Sequence, residues 1–340
     1  MNIVVTGAAG FIGSHLCERL LNDNGNSQVI GIDNFSNGER RNMEKFANNP
    51  NFHFFEHDLS VGLDKKMSSI ALSLGAKIDF VFHLAARGSV PRSIKDPHLT
   101  FVHNVKVTHD LLSWCEKHKV QRFFFASSSS VYGNLTRQWK NEHDPTAPIN
   151  PYGMSKLIGE QYCKMFNQTY GLRTTAFRFF NVYGPRQKFR DEYSAVLPCW
   201  IDKTLKGEPI VLNNNGFQVR DFTYVKDVVT VLHNAIYCAS RPVYNVACGD
   251  AINLSRFAEA YFQAIGVHPN IVLEPATREG DILSSQAEIT MLKQDFNYVP
   301  IRTEQSLVDT YAYYKGISAD PATKKRQAEI QAARDEIVFI

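Results

Sequence analysis

The chain has no apolar run approaching the ~18 residues that a membrane-spanning helix needs, so no transmembrane segment is expected. It also lacks a strong charge imbalance. Its 37 Lys and Arg stand against 34 Asp and Glu, a net +3, too little to argue for nucleic-acid or membrane binding. The six cysteines (Cys17, Cys115, Cys163, Cys199, Cys238 and Cys248) show no metal-ligand or redox spacing, and the 11 histidines form no ligand pattern. No metal is expected. The sequence around the cysteines is apolar or helical, so they read as buried free thiols in a reducing cytoplasm. An apolar strand begins by Ile3, leaving no room for a signal peptide. Repeats and low-complexity tracts are missing too. What remains is a globular composition, 44% hydrophobic and 21% charged, over 340 residues. That length is comfortable for two lobes.

The organising stretch is the first 33 residues. A short apolar run, Asn2 to Val5, leads into Thr6-Gly-Ala-Ala-Gly-Phe-Ile-Gly13. A helical pattern continues to Leu21, and a second apolar run, from Val29, ends at Asp33. Strand, glycine turn, helix and acid-tipped strand are the parts a dinucleotide site needs. Gly7, Gly10 and Gly13 let backbone approach a pyrophosphate, and the helix N-terminus offers it N–H groups and a positive dipole end. Asp33 is placed to accept hydrogen bonds from a ribose diol. A carboxylate there opposes a 2′-phosphate, so NAD is expected over NADP despite Arg40 and Arg41 nearby.

Phe52–Glu56 reads as a strand with Asp58 just past its end. Asp58 is either an adenine contact or a helix N-cap. Ile78–Leu84 is a buried strand followed by Ala85-Ala86, small enough for close cofactor approach, and by Ser89 facing the crevice. A helix is expected from about Pro97 to Lys119. Its apolar stripe (Phe101, Val105, Thr108, Leu112 and Cys115) is core or a subunit contact. The Gln121–Ala126 strand ends in Ser127-Ser-Ser-Ser-Val-Tyr-Gly133, a polar loop or a catalytic one. Residues 134–150 read as a loop. Pro151 then opens a helix in which Tyr152 and Lys156, four apart, share a face. A further strand covers Leu172–Phe180, with Asn181 at its end. Alternating strands and helices imply an α/β fold, a Rossmann-type doubly wound parallel sheet. From Gly184 prolines and short runs dominate, which suggests a smaller substrate-binding lobe. The expected division is 1–183 for the dinucleotide domain, with some later segments such as Asp227–Ala239 and Leu254–Gly266 returning to it. Residues 184–316 form mainly the substrate lobe, and 317–340 a helical tail.

The combination of Thr6 to Gly13, His83-Leu-Ala-Ala86, Ser-Ser-Val-Tyr-Gly133 and Tyr152-x-x-x-Lys156 resembles the extended short-chain dehydrogenase/reductases, the nucleotide-sugar epimerases and dehydratases. The resemblance spans residues 1 to about 316. It implies bound NAD, a small C-terminal substrate lobe and a homodimer built from two helices per subunit. The implied cofactor contacts are Gly7, Gly10, Phe11, Ile12, Gly13, Asp33, Asn34, Asp58, Leu59, Leu84, Ala85, Ala86, Tyr152, Lys156 and Phe180. The implied catalytic set is Ser128, Tyr152 and Lys156, and no metal is called for.

Similar dehydratases carry Thr-Asp-Glu before Val-Tyr-Gly, where this chain has Ser128, Ser129 and Ser130. The glutamate that UDP-glucuronate decarboxylases hold there is absent too. Ser127–Gly133 looks like UDP-glucuronate 4-epimerases. Those usually have Thr-Val-Tyr-Gly-Pro-Trp-Gly, however, where this chain has Asn181-Val-Tyr-Gly-Pro-Arg-Gln187. Gly88–Ile94, Asn181–Gln187 and Arg278–Asp281 with Ser285 are similar to bacterial UDP-N-acetylhexosamine 4-epimerases. In epimerases restricted to plain hexoses a tyrosine stands where this chain has Ser285, and serine leaves room for an N-acetyl group. The resemblance thus implies UDP-GlcNAc/UDP-GalNAc 4-epimerisation, with a UDP-uronate 4-epimerase as the alternative and a net reductase or a non-catalytic NAD-binding protein behind it. Substrate contacts would come from Ser89, Ser128, Tyr152, Asn181, Arg220, Arg278, Asp281 and Ser285.

Overall fold

The computed structural model describes residues 1–23, 27–73, 75, 77–189, 195–276 and 283–319. Seven strands form the main sheet: β1 Asn2–Thr6, β2 Gln28–Asp33, β3 Phe52–Glu56, β4 Phe80–His83, β5 Arg122–Ser128, β6 Arg173–Phe179 and β7 Val243–Val246. Their order is β7-β6-β5-β4-β1-β2-β3, and every pairing is parallel. The chain reverses direction across the sheet between β1 and β4. This is the switch point, where the carboxyl ends of diverging connections leave a crevice.

Strand periodicity sends alternate residues to opposite faces. Ile3 and Val5 enter one apolar cluster with Phe82, Phe124 and Phe177, while Val4 enters another with Ile32, Val81, Phe123 and Phe125. Helices cover both faces. Helix α1 (Phe11–Leu21) packs with α8 (Val225–Cys238) on one side. On the other lie α2 (Leu63–Ser73), α5 (Val107–Lys117) and α6 (Pro151–Tyr170). Before α5 come two short helices, α3 (Val90–Lys95) and α4 (Pro97–Phe101), then a π-helical turn, Val102–Lys106, that runs straight into α5. The stripe read from this region divides. Val105, Thr108, Leu112 and Cys115 are buried within the chain, whereas Phe101 is 52% exposed.

The rest of the chain contributes a second, smaller layer. It holds α7 (Val196–Lys206), α9 (Leu254–Ile265) and α11 (Thr303–Ala319), with α10 (Thr290–Phe296) against α8 and β7. A four-stranded sheet of short segments orders Ile252–Asn253, Val219–Arg220, Ser284–Ala287 and Trp139–Lys140. That last strand lies inside the stretch read as a loop. Its partner, Ser284–Ala287, is remote in sequence, so no local pattern announces it. Helix α8 and strand β7 belong to the large layer, whereas α9 packs on α11 and on Trp200 of α7. Cys17, Cys115 and Cys163 are buried, but Cys199 and Cys238 are exposed. The expectation of six buried thiols therefore fails for those two, on α7 and α8, and for the half-buried Cys248. Among the described residues no helix is long and apolar enough to cross a membrane.

Candidate active site

A cleft of about 530 Å³ opens along the carboxyl ends of β1, β2, β4 and β5. Its floor is the glycine turn. Gly7 has φ +74°, and a Cβ on it would meet the Ala85 backbone nitrogen at 2.9 Å. A Cβ on Gly13 would lie 2.0 Å from the Gly7 carbonyl oxygen. Glycine at both positions lets the turn sink between β4 and the first turn of α1. The N-cap of α1 is Gly10, no side chain caps it, and its first turn holds no acid. Its orphan N–H groups remain available to an anion. A dinucleotide diphosphate fits this cradle.

At one end of the cleft Asp33 accepts from the Ala9 N–H at 3.0 Å and from the Phe35 N–H at 2.8 Å. Burial raises its carboxyl above the ordinary range, opposed by these backbone bonds. Each oxygen keeps a lone pair for a ribose hydroxyl. Asp58 accepts from Asn34 Nδ2 at 3.1 Å and from the Ser60 N–H at 2.8 Å, so Asn34 and Asp58 face the cleft as a linked pair. Arg40 turns away to Glu56, and Arg41 pairs with Glu39. Neither lines the cleft, in keeping with a free ribose 2′-hydroxyl at Asp33.

The reactive groups gather at the other end, where β5 meets the first turns of α6. Asn150 caps α6 by accepting from the Gly153 N–H at 2.8 Å, and Pro151 fills the first helical position. Tyr152 is open to the cleft on one side and enclosed by protein on the others. Burial raises its phenol pKa, against a hydrogen bond with Ser128 that lowers it. Lys156 is 3% exposed, donates to the Ala126 carbonyl at 2.8 Å, and lies 5.8 Å from the Tyr152 ring centroid. Burial lowers its pKa to about 7. Ser128 Oγ accepts from the Ser130 N–H and donates to Ser130 Oγ, both at 3.2 Å.

Behind this centre His83 lies between Thr6 Oγ1 at 2.8 Å and Thr108 Oγ1 at 3.0 Å. Thr108 spends its only proton on the Asn104 carbonyl, 2.6 Å away. His83 Nε2 therefore carries the hydrogen, and Nδ1 accepts from Thr6. Burial, with Lys156 nearby, drops the His83 pKa to about 3, so the ring is neutral and structural.

The cleft unites most of the residues expected from sequence. Gly7, Gly10, Phe11, Ile12, Gly13, Asp33, Asn34, Asp58, Leu59, Leu84, Ala85 and Ala86 line it with Ser89, Ser128, Tyr152, Lys156 and Asn181. Ser89 also caps α3, through the Arg92 N–H. Phe180 is fully buried against Tyr132, and its neighbour Phe179 faces the cleft instead. Arg220 and Ser285 are register partners on the four-stranded sheet and are not among the cleft-lining residues. Arg278 and Asp281 lie outside the described residues.

Sequence reading missed Asn104. Its side chain accepts from the Arg87 N–H at 2.8 Å and donates to Ser155 at 3.0 Å, fastening the loop after β4 to α6. It sits in the π-helical turn, and such turns often mark functional sites. Glu160 and Arg178 were also missed. Glu160, one turn beyond Lys156, was the only available signal.

The NAD-dependent epimerase/dehydratase family model matches residues 3–247. YtcB of Bacillus subtilis (strain 168), named an uncharacterized UDP-glucose epimerase, is 39% identical over 236 residues, 67% of this chain and 70% of its own. The structure of UDP-N-acetylglucosamine 4-epimerase from Methanobrevibacter ruminantium M1, in complex with UDP-N-acetylmuramic acid, superposes with TM-score 0.85 at 33% identity. It covers 93% of this chain and 98% of that one. UDP-glucuronic acid 4-epimerase from Bacillus cereus, in complex with UDP-glucuronic acid and NAD, gives TM-score 0.83 at 30% identity over 93% and 100%.

Proposed function

The chain belongs to the NAD-dependent epimerase/dehydratase family, and from that premise we propose a UDP-sugar 4-epimerase whose preferred substrates are UDP-GlcNAc and UDP-GalNAc. One observation carries the choice of reaction. Among the described residues lining the cleft, the carboxylates are Asp33 and Asp58, both at the β2–β3 end, and none stands beside Tyr152. Water elimination and decarboxylation, as in the relatives with acids before Val-Tyr-Gly, have no acid to use there. A proton-accepting phenol with a serine partner suffices for reversible oxidation at C4.

Tyr152 Oη takes the proton of the sugar 4-hydroxyl and later returns it. Ser128 holds the same oxygens in line. A phenol of ordinary pKa about 10 needs roughly 4 kcal/mol of differential stabilisation to serve as a base near pH 7. The protein alone works the other way, because burial raises Tyr152 and lowers Lys156 to about 7. Lys156 is thus a weaker source of positive charge than its residue type suggests. NAD, when bound, supplies positive charge on its nicotinamide ring and the acceptor and donor of the C4 hydride. Small and uncharged groups around Tyr152 (Ala126, Ser128, Ser129 and Ser130) leave the 4-keto sugar space to turn over. The UDP must stay anchored meanwhile. Asn181 lines the cleft, and Arg220, Arg278 and Asp281 complete the proposed anchoring set. Ser285 is buried on the four-stranded sheet and does not line the cleft; room for the N-acetyl group rests on the resemblance to the N-acetylhexosamine 4-epimerases at that position.

One observation favours an acidic sugar as the second reading: Arg87 lines the cleft, and its buried Nε has no hydrogen-bond partner among the described residues. Incubation with UDP-GlcNAc, UDP-glucose, UDP-GlcA and UDP-GlcNAcA, with products read by NMR at C4, tests the choice. Fastest conversion of UDP-GlcNAc is expected; fastest conversion of an acidic sugar replaces the first reading by the second. The proposed assembly is a homodimer, to which the outer apolar residues Phe101 and Met154, 52% and 45% exposed on α4 and α6, would contribute. Sedimentation of an otherwise intact Phe101→Glu variant as monomer tests that assignment.

A further inference from the structure

Beneath the cleft, successive residues of β5 are tied to residues of α6 spaced one turn apart. The Ala126 carbonyl accepts from Lys156 at 2.8 Å, and Ser127 Oγ donates to Glu160 Oε1 at 2.5 Å. Ser128, next on β5, and Tyr152, one turn before Lys156 on α6, both line the cleft. The first tie belongs to a reactive group itself. The second leads away from the cleft. The side chain of Glu160 is 4% exposed and that of Arg178 6%, and they form a two-point pair, Nε to Oε1 at 2.9 Å and Nη2 to Oε2 at 2.7 Å. Arg178 stands on β6 as the register partner of Ser127. The pair therefore spans two adjacent strands and the helix above them. Its remaining donor, Nη1, reaches the Tyr132 hydroxyl at 2.8 Å, and that hydroxyl donates to Asn245 Oδ1 on β7 at 2.7 Å.

A buried ion pair is a weak source of stability, because desolvating both charges offsets most of their attraction. Its value lies in geometry. A two-point guanidinium–carboxylate fork fixes both distance and angle, and a fully satisfied buried network is stiff. We propose, building on the assignment of Tyr152 as the base, that Glu160 and Arg178 act with Ser127 as positioning residues. They set the height and rotation of the first turns of α6 over the end of β5, and so the approach of the Tyr152 hydroxyl to Ser128. Neither touches the cleft, and neither transfers a proton. The pair contributes almost no net charge beside Lys156, whose depressed pKa is attributable to burial.

The test uses the NAD-loaded enzyme and the best UDP-sugar. Glu160→Gln keeps the shape but breaks the ionic fork; kcat is expected to fall at least tenfold, with KM for the UDP-sugar and NAD content unchanged. Ser127→Ala, a milder change that leaves the pair intact, should lower kcat a few-fold. The two combined should be no worse than Glu160→Gln alone, because they interrupt one device. Wild-type kcat in both single variants overturns the proposal. So does a kcat loss that simply follows a lower thermal midpoint and lost NAD, since that is a purely structural role. Tyr152→Phe separates this from the premise. If Tyr152→Phe is still active, the assigned base is wrong. If it is inactive while both other variants are normal, only the positioning role fails.

Discussion

Replacing Gly13 by alanine tests whether the glycine turn is built for a close-lying dinucleotide. The added Cβ would lie 2.0 Å from the Gly7 carbonyl oxygen, 2.8 Å from its carbon and 3.2 Å from Ala8 Cα. These are backbone atoms of the turn, so no side chain can swing aside. Contacts below 3.0 Å are essentially unknown for Cβ atoms, so the turn and α1 must separate by about 1 Å. Overpacking of that kind costs about 1–3 kcal/mol, which, borne by the NAD-bound turn, lowers NAD affinity by roughly 5- to 150-fold. The control is Gly171→Ala at the C-cap of α6. Gly171 also has positive φ, +72°, but its Cβ would meet nothing within 4 Å. It should lower stability by the left-handed penalty of ~1–2 kcal/mol and leave NAD binding alone. Calorimetric titration of NAD into stripped protein, with thermal midpoints for both variants, gives the comparison. NAD affinity of Gly13→Ala within about twofold of wild type, or equal losses in both variants, would refute the reasoning.

Three other expectations follow from the same centre. Tyr152→Phe should abolish turnover, a loss of ~10²-fold or more, while purified protein keeps its NAD; near-normal epimerisation would sink the assignment. Between about pH 7 and 10.5 an unfolded Lys156 holds a proton that the folded one has lost, so stability should rise with pH across that window. Lys156→Met should flatten this part of the urea-midpoint profile of stripped protein, and an unaltered slope would show that the lysine is not titrating there. Ser285→Tyr should cut kcat/KM on N-acetylated sugars by tenfold or more and spare UDP-glucose; equal loss on both removes the pocket-size argument.

Six strands of the parallel sheet were legible because each announces itself locally; the seventh, β7, lies in the stretch read as the substrate lobe and was not. Apolar runs of the right length alternate with helical periods, and Gly7, Gly10 and Gly13 mark a turn where backbone must be bare. Phe52–Glu56 was read residue for residue. The Tyr152–Lys156 spacing marked a shared helix face, and the serines were placed by the strand they end. What escaped were features held by distant partners. The short strand Trp139–Lys140 exists only because Ser284–Ala287 lies beside it. Glu160 and Arg178 read as ordinary charges until β5, β6 and α6 enclose them. Asn104 gains its role from a loop and a helix it does not neighbour in sequence. The charge preference of Lys156 is set in the same way: residue type indicates a cation, whereas burial near Phe125 lowers its pKa.

The central claim is that hydride leaves C4 and returns to it within one cleft. UDP-GlcNAc carrying deuterium at C4, incubated with NAD-loaded enzyme without added cofactor, measures this directly by NMR and mass spectrometry. The account predicts UDP-GalNAc with the deuterium still at C4 and no net NADH. Product that has lost the label, or NADH accumulating in step with turnover, would contradict it.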